Sequence, residues 1–343
     1  MDNLLTNGLT GDPLTTLMAH NMDPAVLRPY RGDDGRSYIT LNGQAVVTNA
    51  NAVLRKDEWI LLDEVVIKAA KERLKVFGDL RSAGLTFNIP NGMSKTVLEH
   101  QTQSDISEAT ISMDGLRRSD SDRPEYTLES LPLPITHKDF SFSARQIMVS
   151  RNGGSPLDTS TAELASRRVS EEIEKLTLGE SSSFTYGGGT IYGYTNFPQR
   201  LTKTLTDPTS ANHATTVAEV LQMKTQSQNA KYYGPWVLYN SNAWDAFLDE
   251  DYSTAKGDNT LRERLRKIEG IIDVRTSDFL SGTTLILVQQ TTDVARAVIG
   301  MDITTMQWET HGGMELNFKV MAILVPQLRS DFNNNTGIVH GSV

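Results

Sequence analysis

The sequence predicts an α+β fold, built as several units joined by long connections. Three observations carry that prediction. Two stretches have helical periodicity, one over Asp57–Phe77 and one beginning at Ser160. Between them about fifty residues, 79–132, carry no helical stripe and are rich in Ser, Thr, Asp, Asn and Gly. Beyond residue 190, short helix-like and strand-like segments alternate and lead to one long strand-like segment, Leu316 to Val325.

Taken in order, residues 1–55 mix Asn, Thr, Gly and Asp with short apolar pairs and show no sustained period of 3.6 or 2, so they read as an arm that lies across something else. In 57–77, Leu62, Val65, Val66, Ala69, Ala70, Leu74 and Phe77 fall at helical spacing, Lys68, Lys71, Glu72 and Lys75 take the other side, and Gly78 is the expected stop. A structureless loop of the length of 79–132 is improbable inside a compact unit. The short alternating pieces Thr86–Ile89 and Ala109–Met113 favour a projecting β-hairpin instead. Arms of ~20 residues would reach ~60–70 Å, and a lone hairpin needs a neighbour to lie on.

Ile135, Phe140, Phe142, Ile147 and Val149 suggest strand alternation over 133–150. Ser160-Thr161-Ala162-Glu163 has the capping-box form and opens a helix whose stripe is Ala162, Ala165, Val169, Ile173 and Leu176, closed by Gly179. Tyr186–Thr190, with three successive glycines, reads as a hinge. Helices are predicted over Thr216–Gln228, Ser241–Leu248 and Leu261–Ile268. Strands are predicted at Trp236–Tyr239, Ile271–Arg275, Leu285–Val288 and Val294–Ile299. Leu316–Val325 alternates and then becomes wholly apolar, as a central strand does.

Composition removes whole classes of function. Thirty-three Lys and Arg against 42 Asp and Glu give a net charge of −9, so no basic excess exists to grip a phosphate backbone. Cysteine is absent, which excludes disulfides, thiol nucleophiles and iron–sulfur clusters. No apolar run approaches the ~20 residues that span a bilayer, and Met1–Leu9 lacks the basic start and apolar core of a secretory signal. The expected location is therefore cytoplasmic, with no membrane partner.

Six scattered histidines show no metal-ligand spacing. No Walker loop and no G-x-S-x-G elbow is present. Asp120 and Asp122 lack the closing Glu of a calcium loop and read as a solvated turn. Arg262, Arg264, Arg266 and Lys267 form a basic cluster that is either a solvated helix face or a contact patch, with Asp249, Glu250 and Asp251 weakening its field. No cofactor and no catalytic residue is assigned.

The order of parts, supported by local sequence, resembles the major capsid proteins of tailed bacteriophages, the HK97 fold, and the related encapsulins. Leu54-Arg55-Lys56-Asp57-Glu58-Trp59 entering the first helix and Leu131-Pro132-Leu133-Pro134-Ile135 leaving the long loop resemble the encapsulin-like branch. Ile191-Tyr192-Gly193-Tyr194-Thr195-Asn196 is similar to that family's entry into its axial domain, and Val237–Asn240 and Gly282–Val288 fit strands of that domain.

The resemblance implies an N-terminal arm (1–55), a leading helix (56–78) and an extended loop (79–132). It also implies a peripheral domain with a long spine helix (133–189), an axial domain (190–312), and a return strand with the C-terminus (313–343). It further implies a structural, non-enzymatic protein of the virion, assembled in the host bacterial cytoplasm. Hexamers and pentamers of this chain would close an icosahedral shell around double-stranded DNA that is touched weakly and without sequence specificity. A portal and a decoration protein are implied partners. Because the first helix starts near residue 57, no long helical scaffolding segment is expected before it, and assembly is expected to use a separate scaffolding protein, or none.

Some members join neighbours by a Lys–Asn isopeptide bond; here Lys95 is the only lysine of the projecting loop, and Asn333, Asn334 and Asn335 are the asparagines near the C-terminus. The loop's charged tip, Arg117, Arg118, Asp120 and Asp122, is the expected inter-subunit contact, together with Lys95. Two alternatives stand beside this reading. One is an encapsulin-type compartment shell, against which the polar first 55 residues weigh. The other is a soluble two-domain enzyme with a site at the Gly187–Gly193 hinge, which would elute as a small oligomer.

Overall fold

The computed structural model describes residues 30–41, 44–48, 54–105, 109, 111, 113–114, 116, 123–153, 159–252 and 259–343. Its first unit is a four-stranded sheet in the order Thr86–Asn88, Ala295–Thr310, Glu315–Leu328, Thr136–Ser143. The expected central strand is there and is longer than its apolar run. Glu315–Leu328 pairs antiparallel with Ala295–Thr310 on one side and with Thr136–Ser143 on the other, and is buried without interruption from Val320 to Leu328. Burial on both sides explains why its second half reads as continuous hydrophobe.

Helix Ser160–Leu178 lies on this sheet and on helix Lys56–Arg73. Small residues on its buried face let the helices approach closely, and the Ser166 hydroxyl donates to the Val66 carbonyl at 2.7 Å. Phe318 sits where helix and sheet meet, with Phe140, Phe142 and Trp59 ring centroids 5.2, 5.5 and 6.1 Å away. Gly179 closes the long helix in the left-handed region, as expected.

The second unit is a five-stranded sheet ordered Leu201–Thr204, Ile338–Ser342, Thr284–Gln289, Trp236–Asn240, Ile271–Thr276. One face packs against helices His213–Asn229, Asn242–Leu248 and Leu261–Arg266 through Trp236, Leu238, Trp244, Leu285 and Leu287. The other face, with Val237, Tyr239, Ile286, Val288 and Ile338, joins the core under the long helix. Strand Ala295–Thr310 belongs to the first sheet, so residue 312, the expected end of the axial unit, falls in the short turn His311–Gly313 between two strands of one sheet. Segment 338–342 crosses back into the second sheet.

Several expectations need correction. The first helix ends at Arg73, and a new helix, Val76–Ser82, contains Gly78 rather than stopping there. The break is fixed from outside, because Glu174 of the long helix accepts the Val76 and Phe77 N–H groups. Residues 144–153 form a helix, not a strand; Ile147 is buried in it and Val149 is exposed. Its start is a true capping box. The Ser143 N–H donates to Gln146 Oε1 at 2.9 Å and the Gln146 N–H to Ser143 Oγ at 3.3 Å. The box expected at Ser160–Glu163 does not form; that helix is capped at Thr159 without a side-chain bond.

Thr86–Asn88 is no part of the projecting hairpin, since it pairs parallel with Ala297–Ile299. Tyr186–Thr190 is no free hinge: Thr185–Tyr186 and Gly189–Thr190 pair as a tight hairpin. The arm, read as patternless, contains a hairpin of Ser37–Leu41 with Gln44–Thr48.

Candidate assembly surfaces

The projecting hairpin pairs Val97–Gln103 with Tyr126–Pro132 in one antiparallel register, Val97 opposite Pro132 and Gln103 opposite Tyr126. Alternation assigns its faces. Downward, Leu98 and Leu131 join Leu133, Ile89, Ile191, Val298, Ile323 and Val325 in a small core of their own. His100, opposite Glu129, is held there with its Nε2 3.0 Å from the carboxylate. Burial pushes the imidazole below its ordinary value, and Arg329 and Arg296 add to that while Glu129 opposes them. Upward, the hairpin presents Tyr126 and Leu128, 58% and 57% exposed, among Gln101, Gln103 and Glu99.

The foot of the hairpin is fixed by backbone contact. Gly189 lies so close to Ser130 that a Cβ there would sit 1.9 Å from the Ser130 carbonyl oxygen. The Leu133 N–H donates to the Thr96 carbonyl at 2.9 Å. Gly187 and Gly189, part of the run met in sequence as a candidate enzyme hinge, serve here as a seat for the loop, a Cβ at Gly187 falling 2.6 Å from the Val97 side chain.

Of the residues expected at the inter-subunit contact, Lys95 stands exposed at this foot, just after the short turn Gly92–Ser94. Arg117, Arg118, Asp120 and Asp122 lie outside the described residues. Asn335 donates its side-chain amide to Asp331, and Asn334 occupies the left-handed region.

The basic cluster at 262–267 is largely consumed within the chain. Arg262 bridges Asp245 and Asp249 at 2.7 and 2.6 Å, Arg266 meets Asp273 at 2.8 Å, and Lys267 donates to Asn259. The solvated helix face is therefore its better description. Among the described residues no group of three or more His, Asp and Glu side chains converges on a metal-sized site, and no helix is long and apolar enough to cross a membrane.

Two further features carry weight that sequence reasoning missed. Helix Lys56–Arg73 exposes Ile60 and Ile67, one helical face apart by two turns, so the first amphipathic helix is apolar on part of its outer side as well. Glu171, buried in the long helix, gathers Arg73, Arg167 and Arg168. The i+3 and i+4 spacing of Arg167, Arg168 and Glu171 was visible in the sequence; Arg73 was not a neighbour in it.

Solved structures share this arrangement. The virus-like particle of Pyrococcus furiosus superposes with a TM-score of 0.60 at 17% identity, over 84% of this chain and 99% of that one. The capsid of Myoviridae phage XM1 gives 0.58 at 9% identity, over 76% and 89%. A Mycobacterium phage Bobi structure gives 0.54 at 12% identity, over 77% and 90%. These likenesses show the HK97 fold that the order of parts implied. No curated protein sequence matches. A family profile does match, over residues 49–341, and the chain belongs to that family, DUF6260, a family of unknown function.

Proposed function

We propose that this chain is a phage major capsid subunit whose copies close into an icosahedral shell around double-stranded DNA. One observation carries the reading: a hairpin seated firmly at its foot lifts exposed Tyr126 and Leu128 away from the body. Overlap of such a loop with a neighbouring copy supplies interface without a larger core. The protein is structural and carries no catalytic role. Its net charge of −9 suits a wall that leaves packaged DNA mobile. A separate scaffolding protein, a portal and a decoration protein complete the set of partners, and assembly takes place in the host bacterial cytoplasm.

The likeness to the Pyrococcus furiosus particle keeps one second reading in view, a cellular compartment shell. Expression of the chain alone, followed by light scattering and negative-stain microscopy, tests both. Closed shells of about sixty copies or more, ~2.3 MDa upward at 37.9 kDa each, are expected, alone or once a scaffolding protein is supplied. A co-purifying enzyme inside them favours the compartment. A monomer that stays a monomer with its neighbouring gene products overturns both.

The contact at the hairpin tip gives a sharper test. Arg117→Glu with Arg118→Glu is expected to leave a folded subunit that assembles poorly, and normal shells from that variant would remove the tip from the contact. Lys95 takes part at the foot. Shells that release only single chains in boiling denaturant would show that Lys95 forms no covalent link there.

A further inference from the structure

The second sheet ends in the strand Ile271–Thr276, which pairs with Trp236–Asn240 on one side only. The backbone groups along such an edge are a ready template for a strand from another molecule. Here that row is interrupted at successive positions. Trp236 faces Ile271 and Val237 faces Asp273, so Ile272 is left over as a bulge, a device that bends an edge away from flat pairing.

The next backbone groups are taken by side chains. The Val274 N–H donates to Asp273 Oδ1 at 2.8 Å, and the Val274 carbonyl accepts from Arg266 at 3.3 Å. Both groups therefore point away from Trp236–Asn240 and are already used. Arg266 also meets Asp273 at 2.8 Å, which closes a ring of three contacts over the strand. The second Asp273 oxygen is held by Arg275 at 2.9 Å, and Arg275 in turn pairs with Asp79. One turn before Arg266 on the same face of its helix, Arg262 donates to the Thr276 hydroxyl at 3.2 Å.

We propose that Arg266 and Asp273 close the edge strand Ile271–Thr276 against strand pairing with a second copy of this chain.

The side chains of Arg266 and Asp273 are 45% and 26% exposed, where an ion pair adds little to stability. What they supply is a fixed cover on the Val274 backbone. Ile272, 59% exposed beside that cover, gives an uncovered edge an apolar side chain to pack against its twin. Copies gathered at high local concentration make an open edge a competitor of every other contact between them. Two arginines of the basic cluster at 262–267 thus lie over the strand, a use that their sequence spacing alone does not reveal.

The test is thioflavin T fluorescence, with negative-stain microscopy, on the full chain carrying both Arg266→Ala and Asp273→Ala. The pair of changes leaves the net charge of −9 as it was, so a general loss of charge repulsion is not introduced. A several-fold rise in thioflavin-positive, irregular aggregate over the wild type is expected. Adding Ile272→Lys is expected to suppress it by charging the edge, although that change moves the net charge toward zero. Glu263→Ala with Arg264→Ala, a charge-neutral pair on the same helix, is expected to behave as wild type. Aggregation no greater than wild type, equal aggregation in the 263/264 pair, or aggregation that Ile272→Lys leaves unchanged overturns the closure. Should the double variant fail to fold, Arg266→Ala alone decides by the same comparisons, since it uncovers the Val274 carbonyl from an exposed position.

Discussion

Phe318→Ala is expected to destabilise the subunit by about 3–5 kcal/mol, the range for removing a large buried aromatic. Phe318 is fully buried in the first half of the central strand and meets three rings from two other segments: Trp59 of the first helix, and Phe140 and Phe142 of the edge strand. The cavity left by alanine cannot collapse easily, because its walls belong to a sheet locked in register on both sides. With total stabilities of ~5–15 kcal/mol typical of folded domains, such a loss takes a large share of what is available. Urea unfolding of the wild type and variant measures it. A change below ~1 kcal/mol would mean that the ring cluster is not the keystone of this layer.

The second large effect concerns Gly189. Alanine there places a methyl group 1.9 Å from the Ser130 carbonyl oxygen, a backbone atom that cannot swing aside. Relief requires the hairpin foot or the 185–190 turn to move, at ~1–3 kcal/mol by the usual range for overpacking. The expected outcome is a folded subunit with a displaced hairpin and few or no closed shells in the microscope. Gly188→Ala is the matched control one residue away. It meets nothing within 4 Å, although its φ of +80° still costs ~1–2 kcal/mol. Equal assembly defects in the two variants would show that turn strain, not the seat under the hairpin, is what matters.

Legibility in the sequence followed the range of the interactions. The long helix and the central strand were plain, because Ala162, Ala165, Val169 and Ile173 repeat at helical spacing and Val320–Val325 is unbroken hydrophobe. Two local signals were present and passed over. Asn42-Gly43 between Ser37–Leu41 and Gln44–Thr48 is a strong two-residue hairpin turn sequence, and Ser143-Ala144-Arg145-Gln146 is a capping box. Both sit on residues that carry a second, competing pattern, polar composition in one case and strand alternation in the other.

Other features had no local signal at all. The break between Arg73 and Val76 is imposed by Glu174, about a hundred residues on. Thr86–Asn88 becomes a strand only because Ala297–Ile299 offers it an edge. The exposed face of Tyr126 and Leu128 emerges once the register with Gln103 and Gln101 is known. The charged tip at 117–122, chosen from sequence, lies outside the described residues and rests on the assembly test.

The return of residues 338–342 into the second sheet also has a consequence in time. Strand Leu201–Thr204 pairs with that segment alone, about 130 residues later in the chain. At ~5–20 residues per second, a nascent chain carries strand 201–204 unpaired for roughly 7–26 seconds before its partner exists. Polypeptides that stop early can complete the first sheet yet never the second. Only a chain whose synthesis has run through residues 338–342 can therefore close the second sheet.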